Sequence, residues 1–104
     1  MRSFFMRDIC CYILYSNKLH RFYTGVCQDS LTERIAKHNN HLYGNHRFTA
    51  LTNDWELFLR IDVSDYGLAI RLERKIKFMK SSKYIKNLLK YPELVAKIVL
   101  ETQK

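Results

Sequence analysis

Two runs of β-branched and aromatic residues near the start of the chain constrain the fold more than any other feature. Residues 9–15 read ICCYILY and residues 21–26 read RFYTGV, with a short polar segment between them. Runs of this kind, joined by a short polar loop, predict a β-hairpin. Because the first run is apolar at every position, it is expected to be a central strand buried on both faces.

A capping pattern marks the start of a helix after the hairpin. Ser30 and Glu33 stand three apart in the string SLTE, which is typical of a capping box at a helix N-terminus. One buried face of the predicted helix is formed by Leu31, Ile35, His38 and Leu42, which recur at helical spacing. Arg34 and His38 are four residues apart, so their side chains should emerge one turn from each other at the edge of that face.

The rest of the chain predicts one more strand and three helices. Residues 39–54 show no sustained period and predict a long loop, a kind of segment that often carries function, and residues 55–63 predict a third strand. A helix capped by Ser64 or Asp65 should follow, with a buried stripe of Leu68, Leu72, Ile76 and Met79. Ser81 or Ser82 is expected to cap the next helix, and Pro92 to open the last. This order predicts an α+β domain with a small antiparallel sheet. We expect residues 1–104 to form that single domain, with a helical C-terminal extension from about residue 81.

The charge of the chain indicates an anionic partner. Its net charge of +8, from 18 Lys and Arg against 10 Asp and Glu, should attract nucleic acid or an anionic membrane surface. Between residues 66 and 90, arginines and lysines surround one acid, Glu73. A solvated helix surface is the alternative for any single lysine, but the cluster favours nucleic acid. The predicted nucleic-acid-binding residues are Arg71, Arg74, Lys75, Lys77 and Lys80.

The cysteines and the hydropathy narrow the class of protein. The three cysteines, Cys10, Cys11 and Cys27, are odd in number, and the adjacent pair would point to opposite faces of a strand. We therefore expect no disulfide framework and a reducing cytoplasm. No apolar run approaches the roughly 18 residues of a membrane span, so no membrane partner is expected.

Tyr12, Tyr23, Arg34 and Glu73 offer the groups that phosphodiester hydrolysis needs. That reaction requires an activated oxygen nucleophile, a cation near the phosphate and stabilisation of the leaving oxygen. Either tyrosine could hold or deprotonate a water, and Arg34 can brace a phosphate through two hydrogen bonds. Glu73, as a single carboxylate, suits Mg²⁺, which keeps most of its water shell.

Simpler interpretations stand beside these. The tyrosines are also expected packing residues, and Glu73 has an ion-pair partner at i+4 in Lys77. Arg34 has Glu33 or Asp29 as ion-pair candidates. Zinc binding by the histidines with Cys27, and a Cys27–His38 nucleophile pair, are weaker because the spacings match no known ligand motif.

The tyrosine strings at residues 11–13 and 23–25, with the arginine and glutamate helices that follow, resemble the GIY-YIG endonuclease family. The resemblance runs from about residue 9 to about residue 84. It is closest to small stand-alone bacterial members similar to the N-terminal nuclease module of the nucleotide-excision-repair enzyme. It implies a three-stranded antiparallel sheet flanked by helices, and a divalent metal, Mg²⁺ or Mn²⁺, that assists attack by water on DNA. The catalytic residues that it implies are Tyr12, Tyr23, Arg34, His38 and Glu73, with Glu73 as metal ligand and Gly25 as the glycine of the second motif.

The chain also departs from the family pattern. Cys10 and Cys11 replace the first two residues of the first motif, and Thr24 replaces the middle residue of the second. Many members carry a lysine or histidine after the second-motif glycine, where this chain has Val26, and some carry an asparagine where Ile85 lies. A missing cation bears on activation of the phenol, and therefore on turnover more than on fold.

The sequence predicts a metal-dependent DNA endonuclease that acts in repair or processing. The first alternative is a nucleic-acid-binding module that keeps the nuclease fold with little activity. The second is a protein-interaction adaptor.

Overall fold

The hairpin at the start of the chain forms as predicted in the computed structural model, which describes residues 9–103. Strand β1 (Cys10–Ser16) pairs antiparallel with β2 (Arg21–Cys27), and Tyr12 lies opposite Gly25. Strand β3 (Glu56–Asp62) pairs antiparallel with the other side of β1, which gives the order β2-β1-β3. The predicted three-stranded antiparallel sheet is therefore confirmed, with β1 at its centre. The outer limits of the predicted domain, residues 1 and 104, lie outside the described residues.

Helices cover both faces of this sheet, as predicted. Helix α1 (Leu31–Asn39) follows the hairpin, and α2 (Tyr66–Met79), α3 (Ser82–Lys90) and α4 (Pro92–Thr102) follow β3. The predicted loop at residues 39–54 contains a short 3₁₀ helix (Phe48–Leu51). Three side-chain caps begin helices by accepting the backbone N–H three residues on, and they are Ser30, Asp65 and Ser81. Their free oxygens satisfy amides that would otherwise lack a partner.

β1 is buried on both faces because its alternate residues pack against different layers. Cys11 and Ile13 pack against Leu72 and Ile76 of α2, together with residues of α3 and α4. On the other face, Tyr12 and its neighbours Cys10 and Leu14 pack against α1 and Trp55. A strand between two apolar layers has no polar side, which is why its sequence shows no alternation.

Two predicted core positions are wrong. Leu42 is 68 % exposed because α1 ends at Asn39, whose side-chain amide bonds the N–H and the C=O of Trp55 at 2.7 and 3.0 Å. Met79 is 44 % exposed at the end of α2. The next residue, Lys80, has a φ of 48° and turns the chain away from the helix.

Two findings concern the cysteines and the helices of the described residues. All three cysteines are buried and free, so no disulfide forms. Across residues 9–103, no helix combines the length and the apolar character that crossing a membrane requires.

Candidate active site

The predicted catalytic side chains line one small cavity of about 190 Å³. This cavity, here called the pocket, includes Gly25 in its wall and all five residues of the predicted catalytic set, namely Tyr12, Tyr23, Arg34, His38 and Glu73. These residues come from two strands and two helices that are far apart in the chain. The fold therefore places two phenols, a guanidinium, an imidazole and a carboxylate around a common space.

The groups reach the pocket from both faces of the sheet. Tyr12 belongs to the face covered by α1, whereas Glu73 lies on α2, which packs against the opposite face. Strand β2 forms an edge of the sheet, and it contributes Tyr23, Gly25 and Val26 to the wall. Side chains held on opposite faces can meet beside an edge strand, so the carboxylate and the phenols share one cavity.

Tyr12 is held in a buried chain of hydrogen bonds. Its hydroxyl lies 2.9 Å from Nε2 of His38, and Nδ1 of the same ring lies 2.9 Å from Oγ1 of Thr49. Burial, followed by the effect of Tyr23, raises the pKa of Tyr12, so the phenol keeps its proton at neutral pH.

His38 is a neutral imidazole in this chain. Burial, with added repulsion from Arg34 and Arg47, lowers the pKa of His38 to about 4. A neutral ring has one donor and one acceptor nitrogen, which matches its two partners. We assign Nδ1–H as the donor to Thr49 and Nε2 as the acceptor from Tyr12, because the phenol is the more acidic of the two hydroxyls. Tyr12 is thereby joined to a base that can take its proton.

Gly25 supplies the space that the Tyr12 phenol occupies. A Cβ atom at this position would lie 2.6 Å from both Oη and Cζ of Tyr12. Tyr12 is 1 % exposed and bonded to His38, so its ring has no room to move aside. Gly25 thus lets the backbone of β2 come close to the phenol on the neighbouring strand.

Arg34 presents its guanidinium to the pocket beside an aromatic ring. Its Cζ lies 5.9 Å from the centroid of Tyr43, within range of a cation–π contact. Among residues 9–103, neither Glu33 nor Asp29 forms an ion pair with it. The guanidinium therefore remains able to bind an anion that enters the pocket.

Glu73 lines the pocket and also forms the predicted ion pair with Lys77. Its Oε2 lies 3.1 Å from Lys77 Nζ, and its side chain is 20 % exposed. That ammonium also lies 5.4 Å from the centroid of the Tyr23 ring. The structural and the functional interpretation of Glu73 are therefore compatible.

The donor set of the pocket fits a hard, hydrated cation. Among the described residues that line the pocket, Glu73 alone carries a carboxylate, and Mg²⁺ often takes only one or two carboxylates with water and phosphate as its other ligands. Zinc needs three or four protein ligands, and no group of three or more His, Cys, Asp or Glu suited to a metal occurs in the described chain. Glu73 could thus hold Mg²⁺ or Mn²⁺, and the zinc alternative has no support.

The Cys27–His38 pair has no support either. The Cys27 thiol donates to Oδ1 of Asp29 at 3.6 Å. Burial raises the pKa of Cys27, which keeps the sulfur protonated and a poor nucleophile.

Tyr43 and Arg47 line the pocket and were not predicted. Both lie in the loop between α1 and the 3₁₀ helix, and the ring of Tyr43 is tilted by 49° to the His38 ring with its centroid 4.7 Å away. The only signal in the sequence was the length of this loop, which indicated function without naming residues.

The predicted nucleic-acid-binding residues divide between two surfaces. Lys77 and Lys80 lie near β2, where both line a larger cavity beside the pocket. Arg71 donates to the carbonyl of Thr102 at 3.3 Å, and Lys75 pairs with Glu101 at 3.1 Å, so both face α4. Arg74 is exposed on the same helix.

Comparison with known proteins identifies the fold. The family model of the GIY-YIG catalytic domain matches residues 8–86, which is most of the chain. No curated protein and no solved structure matches the chain significantly. The matched range contains every residue that lines the pocket.

Proposed function

We propose that this chain, which belongs to the GIY-YIG family, is a metal-dependent endonuclease that hydrolyses phosphodiester bonds in DNA. The observation that carries the proposal is the convergence of two phenols, a guanidinium, an imidazole and a carboxylate on one pocket of about 190 Å³. The net charge of +8 supports DNA as the substrate. A role in DNA repair or processing in the cytoplasm is part of the proposal, and the free cysteines agree with that compartment.

Arg34 and Arg47 bind the phosphate in this mechanism. Arg34 offers two parallel N–H donors to the phosphate oxygens, and Arg47 adds a second positive charge from the loop. Both are in place before the substrate arrives, so they stabilise the charge that develops on the phosphate without reorganisation. The second motif has Val26 where many family members carry a lysine or a histidine. Arg47 lines the same pocket and supplies the positive charge that is missing at that position.

Tyr12 accepts the proton of the attacking water and passes its own proton to His38. The new bond joins the water oxygen to phosphorus, the bond to the leaving sugar oxygen breaks, and the proton ends on Nε2 of His38. The sugar oxygen leaves with the electron pair of the broken bond and takes a proton from solvent. The negative phosphate offsets the charges of Arg34 and Arg47, which otherwise hold the pKa of His38 low. Substrate binding therefore prepares the imidazole to accept the proton.

Glu73 is the residue that would hold Mg²⁺ or Mn²⁺, which when bound neutralises charge on the phosphate. In the chain as it stands, Lys77 neutralises this carboxylate. We expect the lysine to move toward the nucleic acid when a metal takes its place.

Metal-dependent cleavage of labelled DNA tests this proposal. Purified protein is incubated with nicked, branched, single-stranded and duplex DNA, with Mg²⁺, Mn²⁺ or EDTA. The proposal predicts cleavage that needs metal and is lost in Glu73→Gln. The matched control is Glu101→Gln, because Glu101 also bonds a lysine at 3.1 Å but lies outside the pocket. Cleavage that persists in Glu73→Gln, or fails in both variants alike, would reject the assigned role.

A binding module without turnover is the second candidate. The raised pKa of Tyr12 and the apolar Val26 in the pocket wall favour it, because both weaken activation of water. This candidate predicts salt-sensitive DNA binding with no product, and Glu73→Gln would then bind at least as tightly as the unaltered chain.

A further inference from the structure

A second, larger cavity lies directly beside the pocket. It has a volume of about 660 Å³, within the range of roughly 300–1,000 Å³ that is usual for ligand clefts. We call it the groove. It runs between β2, the 3₁₀ helix and the junction of α2 and α3. It shares Tyr23 with the pocket, and Lys77 in its wall pairs with Glu73 in the wall of the pocket. A strand whose phosphate lies in the pocket can therefore continue into the groove.

The wall of the groove is positively charged and aromatic. Arg21, Lys77 and Lys80 contribute cations, and among the lining residues, all of which are described, none is acidic. Phe22, Tyr23 and Phe48 contribute rings to the same wall. Cations bind the backbone of nucleic acid and aromatic faces stack on unpaired bases, and this combination is typical of single-strand sites.

Phe48 is the ring best placed to stack on a base. It is 40 % exposed, and its ring is nearly parallel to Tyr23, with an interplanar angle of 20° and centroids 6.4 Å apart. Behind it lies Trp55, whose centroid is 5.9 Å away and whose Nε1 donates to the carbonyl of Thr49 at 2.8 Å. Phe48 is thus partly exposed and supported by a buried partner, as a stacking surface should be.

Two residues that line the groove have left-handed backbone conformations, His20 with a φ of 53° and Lys80 with a φ of 48°. Residues other than glycine seldom adopt this conformation, yet at both positions the chain carries a polar side chain.

From these observations we infer that the groove binds an unpaired segment of nucleic acid that continues from the phosphate in the pocket. The inference rests on the proposed function for that phosphate. It names the substrate class: a strand whose bases are unpaired next to the cleavage site. Bases inside a duplex stack on the base pairs above and below them, so their faces are not available to Phe48.

Fluorescence anisotropy with labelled oligonucleotides tests the groove separately from catalysis, because binding is measured in EDTA with no turnover. The probes are a single strand, a blunt duplex of the same sequence, and the corresponding RNA strand. Phe48→Leu removes the stacking face and keeps an apolar side chain, and Lys80→Gln removes one charge. The matched controls are Phe78→Leu and Lys86→Gln, since both residues are exposed and lie outside the groove.

The inference predicts that the unaltered chain binds the single strand at least tenfold more tightly than the duplex. Phe48→Leu should lose about tenfold for the single strand and little for the duplex. Lys80→Gln should flatten the log–log salt dependence of single-strand binding by about 0.7, the value for one lost phosphate contact. Whichever of the DNA and RNA single strands binds more tightly identifies the type of nucleic acid that the groove prefers.

Three results would overturn the inference. The first is equal binding of single strand and duplex, and the second is an equal loss in the control variants. The third is displacement of the oligonucleotide by polyglutamate at the same charge concentration, which would indicate an acidic protein partner. A chain that binds single strands through Phe48 but cuts nothing would contradict the proposed endonuclease and leave the groove intact. A chain that cuts duplex DNA with no effect of Phe48→Leu would support the proposed endonuclease and contradict the groove as a single-strand site.

Discussion

The two tyrosines of the site occupy different surroundings although they lie on neighbouring strands. Tyr12 stands on the central strand, is 1 % exposed, and has its hydroxyl fixed by His38. Tyr23 stands on the edge strand, is half-buried, and its ring contacts His38, Phe48 and Lys77. One phenol is enclosed and connected to a proton acceptor, and the other borders both the pocket and the groove.

This difference assigns different roles to the two tyrosines, one in the chemical step and one in positioning the substrate. A hydroxyl that bonds a neutral imidazole can exchange a proton with it, so Tyr12 is the better candidate for the base. A ring that borders two cavities is suited to guiding a strand from one into the other, so Tyr23 is the better candidate for positioning. The sequence alone could not separate these roles, because it does not fix which tyrosine faces the histidine.

The largest expected effect comes from removing the Tyr12 hydroxyl. Tyr12→Phe should lower the single-turnover cleavage rate by about 10²- to 10⁴-fold, whereas Tyr23→Phe should cost less than about tenfold. Rates are measured at saturating DNA, with circular dichroism to confirm folding. Equal losses in the two variants would remove the distinction between the phenols.

Arg34 lies on the Tyr12 side of the site and should have the next largest effect. Arg34→Ala should cost roughly 3 kcal/mol of transition-state stabilisation, about 150-fold in rate. Arg34→Lys should recover only part, because an ammonium lacks the paired donors. Arg74→Ala is the control, since Arg74 is exposed and outside the pocket. A loss below about fivefold in Arg34→Ala would exclude this residue from the mechanism.

The lowered pKa of His38 predicts that the stability of the folded chain depends on pH. Its folded-state pKa, about 4, lies below the ordinary value of 6.5, so the unfolded chain binds the proton first as the pH falls. Stability should therefore decrease between about pH 6.5 and pH 4, by up to roughly 3 kcal/mol, and then level off.

Urea unfolding at pH 7.5 and 4.5 checks this window. His38→Gln should show a smaller decrease than the unaltered chain. The control His20→Gln should not, because His20 is exposed at the hairpin turn. The same decrease in all three proteins would show that other groups cause it.

Gly25 should have the smallest of the expected effects, a loss of stability. Gly25→Ala places a methyl group against the Tyr12 phenol, and overpacking of this kind costs roughly 1–3 kcal/mol. Gly67→Ala is the matched control, because the atoms nearest to its Cβ would lie farther away, at 3.2 Å and 3.5 Å. Thermal unfolding of both variants gives the comparison, and equal stability would show that the phenol does not need the space.

Structural features that depend on a few neighbouring residues were predicted correctly. Ser30 and Pro92 mark helix starts through their own side chains, and the apolar run of β1 marks a central strand regardless of its partners. Leu42 failed because the end of α1 depends on a bond between Asn39 and Trp55, which are distant in the chain. The helical spacing of apolar residues does not show at which residue a contact with a distant segment ends the helix.

The sequence proposed residues for the site, and it did not give the geometry of the pocket. The motif resemblance identified Tyr12 and Glu73, which the fold brings to one pocket. It gave no signal for Arg47, because that residue lies in a loop whose path depends on tertiary contacts. The lysines of α2 were predicted as one cluster, but Lys75 faces α4 and Lys80 faces the groove. The sequence does not show where α4 packs, and it is the contact with α4 that distinguishes Lys75 from Lys80.

A double-mutant cycle across the sheet tests most directly whether groups from its two faces act on one phosphate. Single-turnover rates with Mn²⁺ are measured for the unaltered chain, Tyr12→Phe, Glu73→Asp and the double variant. If both residues serve the same phosphate, the double variant should be little slower than the slower single variant, because residues that act as a unit are not additive. Penalties that multiply in full would show that Tyr12 and Glu73 act independently, and would contradict a shared active site.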